Sequence, residues 1–185
     1  TAIDAVGGYA ANRNLKAYEE AVLGLRLRAA GWKLLRLPLP GVRHTGHDAG
    51  TFVLLARHWR GRRAMAAGVL LRAAIGKPWW RGALRMLIHP LAAGAWWCML
   101  ALAVLLLPGE ARVLTVATLL AVIGGVILLL ALKKRDLAHA AASFLHWHYG
   151  AAAIAIGFCY RQRPPLEPIP CRVLHEPVRT EIDSA

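Results

Sequence analysis

Two long runs without a charged side chain constrain this chain more than anything else in it. Residues 90–107 (PLAAGAWWCMLALAVLLL) and 113–132 (VLTVATLLAVIGGVILLLAL) contain eighteen and twenty residues with no Asp, Glu, Lys or Arg. At about 1.5 Å of rise per residue, each is long enough as a helix to cross a hydrocarbon core of about 30 Å. The five residues between them, PGEAR, leave room only for a tight turn, so the two runs predict a transmembrane helical hairpin. With 57% hydrophobic residues distributed this unevenly over 185 positions, a single soluble globule is not expected.

The charge pattern orients the hairpin. The net charge of +13 suits either an anionic membrane surface or nucleic acid. Position separates the two, because no acidic residue lies between Asp48 and Glu110, while Arg57, Arg60, Arg62, Arg63, Arg72, Lys77, Arg81 and Arg85 lead into the first apolar run. Lys133, Lys134 and Arg135 follow the second run, and the turn between the runs is nearly neutral. Both hairpin ends are therefore expected in the cytoplasm, with the polar N-terminal part and the C-terminal tail on that side. Nucleic acid is not an expected partner, since the basic stretch carries no helix-turn-helix, zinc-finger or RNP signature. Cys98, Cys159 and Cys171 form no CxxC pair and suggest neither a disulfide framework nor a zinc site.

The segments flanking the hairpin differ in character. Residues 1–50 read as a soluble α/β piece: a helix over 18–30 with acids in its first turn and Arg26 and Arg28 in its last, stopped at Gly31, then a short strand over 32–37 and a second over 42–44. One helix and two strands bury too little to stand alone, which implies sequence upstream of Thr1. Residues 51–89 are basic and apolar at mixed helical spacing and are expected along the membrane surface, with Trp79 and Trp80 in the headgroup zone. Residues 133–160 are expected to form an interfacial or third membrane helix, the interfacial placement being favoured by basic residues at both ends. Residues 161–185, rich in proline, read as a cytoplasmic tail.

Three elements of the polar part, VGGY at 6–9, YEEAVLGLRLRAAGW at 18–32 and LPLPGVRH at 37–44, follow one another in the order used at the C-terminal end of the catalytic domain of family 2 glycosyltransferases. The chain resembles that inverting, GT-A family over about its first sixty residues, and membrane-bound branches of the family continue into basic and transmembrane segments. The fold class the resemblance implies is an α/β remnant of a GT-A domain followed by a mostly α-helical membrane region in the inner membrane of a bacterium. The activity implied is transfer of a sugar from a nucleotide-sugar donor to a lipid-linked or polysaccharide acceptor. Glu20 then stands at the position of the catalytic carboxylate that takes the acceptor's proton, and Glu19 at the acid before it. Val22 replaces a second Asp of the family pattern. Read from the residues alone, Glu19 and Glu20 are first-turn acids that complement a helix dipole.

The same resemblance places His44 where several such enzymes hold a divalent metal, Mn or Mg, or the diphosphate of the donor; His47 and Asp48 lie close by, in a turn that by itself reads as solvated. Most of the metal's ligands, the DxD motif among them, are not in these residues, which by themselves should be inactive. Arg57, Trp59 and Arg60 in ARHWRG resemble the Arg-Trp element that lines the acceptor channel of processive members, without its leading Gln; as bare chemistry they are membrane-surface anchors. Ala117, Ala121 and Gly125 recur every four residues in the second run and would let a helix approach closely, within the hairpin or in a homodimer. His146 and His148, two apart, point to different sides of a helix and are not expected to share a metal. The rival expectation is a small, non-enzymatic membrane protein that binds lipid or a partner through its basic segment. Part of a transporter is less well supported, because neither run contains an ionisable residue.

Overall fold

A computed structural model of the chain describes residues 1–9, 12–35, 37–39 and 49–165. Among these residues the regular structure is entirely helical: α1 (Ala2–Ala5), α2 (Glu19–Ala29), α3 (Thr51–Arg60), α4 (Ala66–Ala74), α5 (Trp80–Met86), α6 (Ile88–Leu106), α7 (Gly109–Lys134) and α8 (Leu137–Phe158).

The expected α/β remnant is corrected by this architecture. The helix over 18–30 is present as α2, with Glu19 and Glu20 in its first turn, Arg26 and Arg28 in its last, and Gly31 at a φ of +85° just beyond it. The strand over 32–37 is not: residues 32–35 and 37 have no regular structure. The physical reason is the lack of a partner. A strand needs a neighbour for its backbone N–H and C=O groups, and among the described residues no strand lies beside this segment, whose Leu35 and Leu37 are 83% and 65% exposed. The second strand, over 42–44, lies outside the described residues.

Among the described residues two helices are long and apolar enough to cross a membrane, α6 and α7. They are joined by Leu107 and Pro108, both extended, and the Arg112 side chain donates a hydrogen bond to the Leu107 carbonyl across the turn. No residue of α7 is buried within the protein, and its leucines point outward. A helix of 26 residues with such a surface is stable only where something other than water covers it.

The core lies elsewhere, where α4 meets α8. Seven of the nine residues of α4 are buried, Leu70 completely. The two helices touch backbone to backbone, because a methyl group added to Gly68 would run into the Ile154 carbonyl and the Phe158 amide, and one added to Gly157 into the Met65 carbonyl. Arg72 donates to the carbonyls of Phe158 and Tyr160, at 3.1 and 3.0 Å, and so satisfies the open end of α8. The opposite end of α8 is capped by Asp136, whose carboxylate accepts from the amides of Ala138 and His139. Along its length α8 also packs against α6 and α7, making it the element that connects the hairpin to the rest of the chain.

The polar N-terminal part docks onto this core. Leu15 and Val22 lie in the same apolar cluster as Val69, Leu70 and Ile154, and the rings of Trp79 and Trp80 pack against it. Val22 is 2% exposed and fastens α2 to α4. Residues 161–163, leaving α8, pair with residues 12–14: buried Asn12 bonds to Gln162, Arg13 N–H donates to the Arg163 carbonyl, and Asn14 donates to the Arg161 carbonyl.

Candidate functional site

The start of α2 is the most distinctive polar feature of the N-terminal part. Tyr18 enters it in a left-handed conformation, φ 69°, which turns the chain sharply before Glu19 and Glu20. Glu20 is exposed and Glu19 half-buried. The VGGY turn faces them. Arg26, one helical face along α2, donates to the Gly8 carbonyl at 3.2 Å and packs against Gly7, tying the turn to the helix. Tyr9 thereby comes beside the two acids. Its phenol is held above the usual tyrosine pKa by partial burial first, then by the negative charges of Glu20 and Glu19, with a hydrogen bond to Glu20 acting in the same direction. At neutral pH the phenol keeps its proton and can donate it to the carboxylate.

Tyr18, the residue before these acids, also lines a cavity of about 410 Å³ between α2, the α3–α4 turn, the α5–α6 junction and α8. Its polar wall consists of Tyr18, His58, Arg63, His89, His146 and Tyr149. Burial holds the Tyr18 phenol above its ordinary pKa. The Tyr149 hydroxyl donates to the Leu55 carbonyl at 2.9 Å, while its ring meets that of Trp59 at 5.3 Å, and together these contacts fix α3 against α8. His89 and Trp147 stack nearly parallel with centroids 4.7 Å apart.

Of the residues expected to matter, Glu19 and Glu20 stand together at the start of α2, and Trp59 stands against Tyr149. Arg57 and Arg60 are exposed on α3, and neither lines the cavity. Their neighbour His58 does, as does Arg63 in the following turn. His44 lies outside the described residues, with His47 and Asp48. Among the described residues no group of three or more His, Cys, Asp or Glu side chains is placed to hold a metal ion. His146 and His148 do part company: His146 lines the polar cavity, whereas His148 bonds to the Phe144 carbonyl and faces the hairpin.

Sequence reasoning did not group the four residues that meet around the cavity: Arg63 was read only as part of the basic flank and His146 only beside His148, while His58 and His89 were given no role. They come from four places in the chain, and no spacing rule groups them. The signal available was compositional only, a lack of carboxylates from Ala49 to Gly109 beside recurrent His and Arg.

Comparison with known proteins gives no matching family model, no matching curated protein and no matching solved structure.

Proposed function

We propose that the chain is part of a membrane-anchored inverting glycosyltransferase, of the family 2 type its sequence resembles, that moves a sugar from a nucleotide-sugar donor to a lipid-linked or polysaccharide acceptor. The observation that supports this reading is the meeting of two separate parts of the resemblance: Arg26 of RLRAAG donates to the Gly8 carbonyl of VGGY at 3.2 Å, which holds that turn on the helix that begins with Glu19 and Glu20, near enough for their charges to act on the Tyr9 phenol. First-turn acids that served only the helix dipole would not require that arrangement.

In the proposed reaction Glu20 is the base. Its exposed carboxylate accepts the proton of an acceptor hydroxyl while the acceptor oxygen bonds to the anomeric carbon of the donor. The bond from that carbon to the diphosphate breaks, the nucleoside diphosphate leaves with the bonding electrons, and the configuration inverts. Tyr9 stands on the side of the two acids and can orient the carboxylate, and Glu19 lies beside it in the same first turn. In this reading the reaction takes place at the cytoplasmic face of a bacterial plasma membrane, which the positive-inside rule supports through the basic flanks of α6 and α7.

The test is sugar transfer by membranes containing the full-length gene product, with Mn²⁺ or Mg²⁺ present, comparing wild type with Glu20→Gln. Loss of transfer by about 10²- to 10⁴-fold with nucleotide binding retained is the expected result. Unchanged turnover would reduce Glu20 to a helix-start acid, and a wild type inactive with every donor would favour a non-enzymatic membrane protein.

A further inference from the structure

The cavity beside Tyr18 is not isolated. A second, apolar cavity of about 140 Å³ opens between α6, α7 and α8, lined by Ala92, Trp96, Ile123, Val126 and Phe144 among others. The stacked pair His89 and Trp147 lines both. One side of this pair therefore faces a chamber with an arginine, three histidines and two tyrosines, and the other faces hydrocarbon-like walls inside the hairpin region.

Among the described residues no carboxylate lines either cavity. The polar chamber offers the guanidinium of Arg63, imidazole N–H groups and the Tyr18 hydroxyl, all donors suited to phosphate oxygens. The same histidines are not grouped as metal ligands among the described residues. Donors for an anion at one end and an apolar slot at the other fit one chemical class.

We infer that the two cavities form a single binding site for a phosphate-bearing lipid, with the head group held by Arg63, His58, His89 and His146 and the chain entering between α6, α7 and α8 past the His89–Trp147 pair. As the site of a sugar acceptor, this assignment rests on the glycosyltransferase reading, because Tyr18 leads directly into Glu19 and Glu20. As a lipid-phosphate site it stands on the cavities alone.

Retention of hexadecyl phosphate by the full-length protein in detergent, measured by native mass spectrometry, separates the two claims from each other, since it requires no turnover. Saturable retention is expected, weakened at least about tenfold by the head-group double variant Arg63→Gln/His89→Gln. Ala92→Phe, which fills the apolar chamber from an exposed position, should weaken it similarly; Arg28→Gln, at the far end of α2, should leave it unchanged. Inorganic phosphate at the same concentration should not compete. Retention unaltered in both the head-group and the Ala92→Phe variants would overturn the site; equal competition by inorganic phosphate would make it a free-anion pocket, and equal retention of hexadecanol an unselective groove, each of which also overturns the proposal. Binding without sugar transfer would leave the lipid site standing and remove the enzymatic reading.

Discussion

The crossing of α4 with α8 and the surface of α7 are built from similar residues and behave in opposite ways. Both are rich in Ala, Gly, Val, Leu and Ile. At the crossing, Gly68 and Gly157 bring two backbones into contact and nearly all of α4 disappears from the surface. On α7, Gly124 and Gly125 have open space where a side chain would be, and nothing on the helix is buried. Apolar composition therefore states that a segment avoids water but not what it meets instead: protein at α4, and on α7 a surface left for lipid or another chain.

The largest expected effect comes from breaking the tight side of the pair. Gly157→Val inserts a branched side chain against the Met65 carbonyl and should destabilise the fold by more than ~3 kcal/mol, read as a lowered melting temperature in detergent. A melting temperature unchanged from wild type would mean that the two helices do not touch. Leu70→Ala keeps the backbones together but empties the centre of the same core, where Leu70 is 0% exposed. A loss of ~3 kcal/mol is expected, by the same assay.

A smaller effect sharpens the boundary between the two regions, at the turn where bare α7 becomes packed α8. Hydrogen bonds from the His139 side chain and amide, then from the Ala138 amide, hold the Asp136 carboxyl below the usual carboxylate range. A carboxyl with its folded-state pKa lowered stabilises the fold above its unfolded pKa and stops doing so as the pH falls through the folded value. The start of α8 should therefore loosen below about pH 4, seen as faster amide exchange at residues 138–140, and Asp136→Asn should be looser than wild type at neutral pH and lose that acid dependence. The smallest effect belongs to the bare side. Gly125→Leu should change the melting temperature by an amount equivalent to less than ~0.5 kcal/mol; a large loss would show that α7 has a packing partner, as in a homodimer through Ala117, Ala121 and Gly125.

The contrast also marks how far the sequence could be read. The apolar runs and helix α2 were legible because their signals are local: uninterrupted hydrophobicity, acids at one end and bases at the other, Gly31 beyond. The four-residue repeat on α7 was legible for the same reason, yet Ala117, Ala121 and Gly125 are all exposed, while Gly68 and Gly157, which do make a close crossing, lie far apart in sequence and carry no shared pattern. The strand over 32–37 failed because its β character depended on a partner strand that no local signal can supply. Val22 read as the loss of a supporting acid and proves to be the residue that fastens α2 to the core. The acids of the candidate site were found from their resemblance to a family motif; the contact with Tyr9 and the cationic cavity required the fold.

The central structural claim, a hairpin whose outer surface is covered by lipid while the rest of the chain packs beside it, is tested most directly with two native thiols. Cys98 lies near the middle of α6 and Cys159 at the end of α8, and both are exposed on the protein itself. In a Cys171→Ser background in membrane vesicles opened to both faces, a water-soluble maleimide should label Cys159 readily and leave Cys98 unmodified until detergent is added. Equal labelling of both thiols in intact bilayers would contradict the account, because it would put the middle of α6 in water.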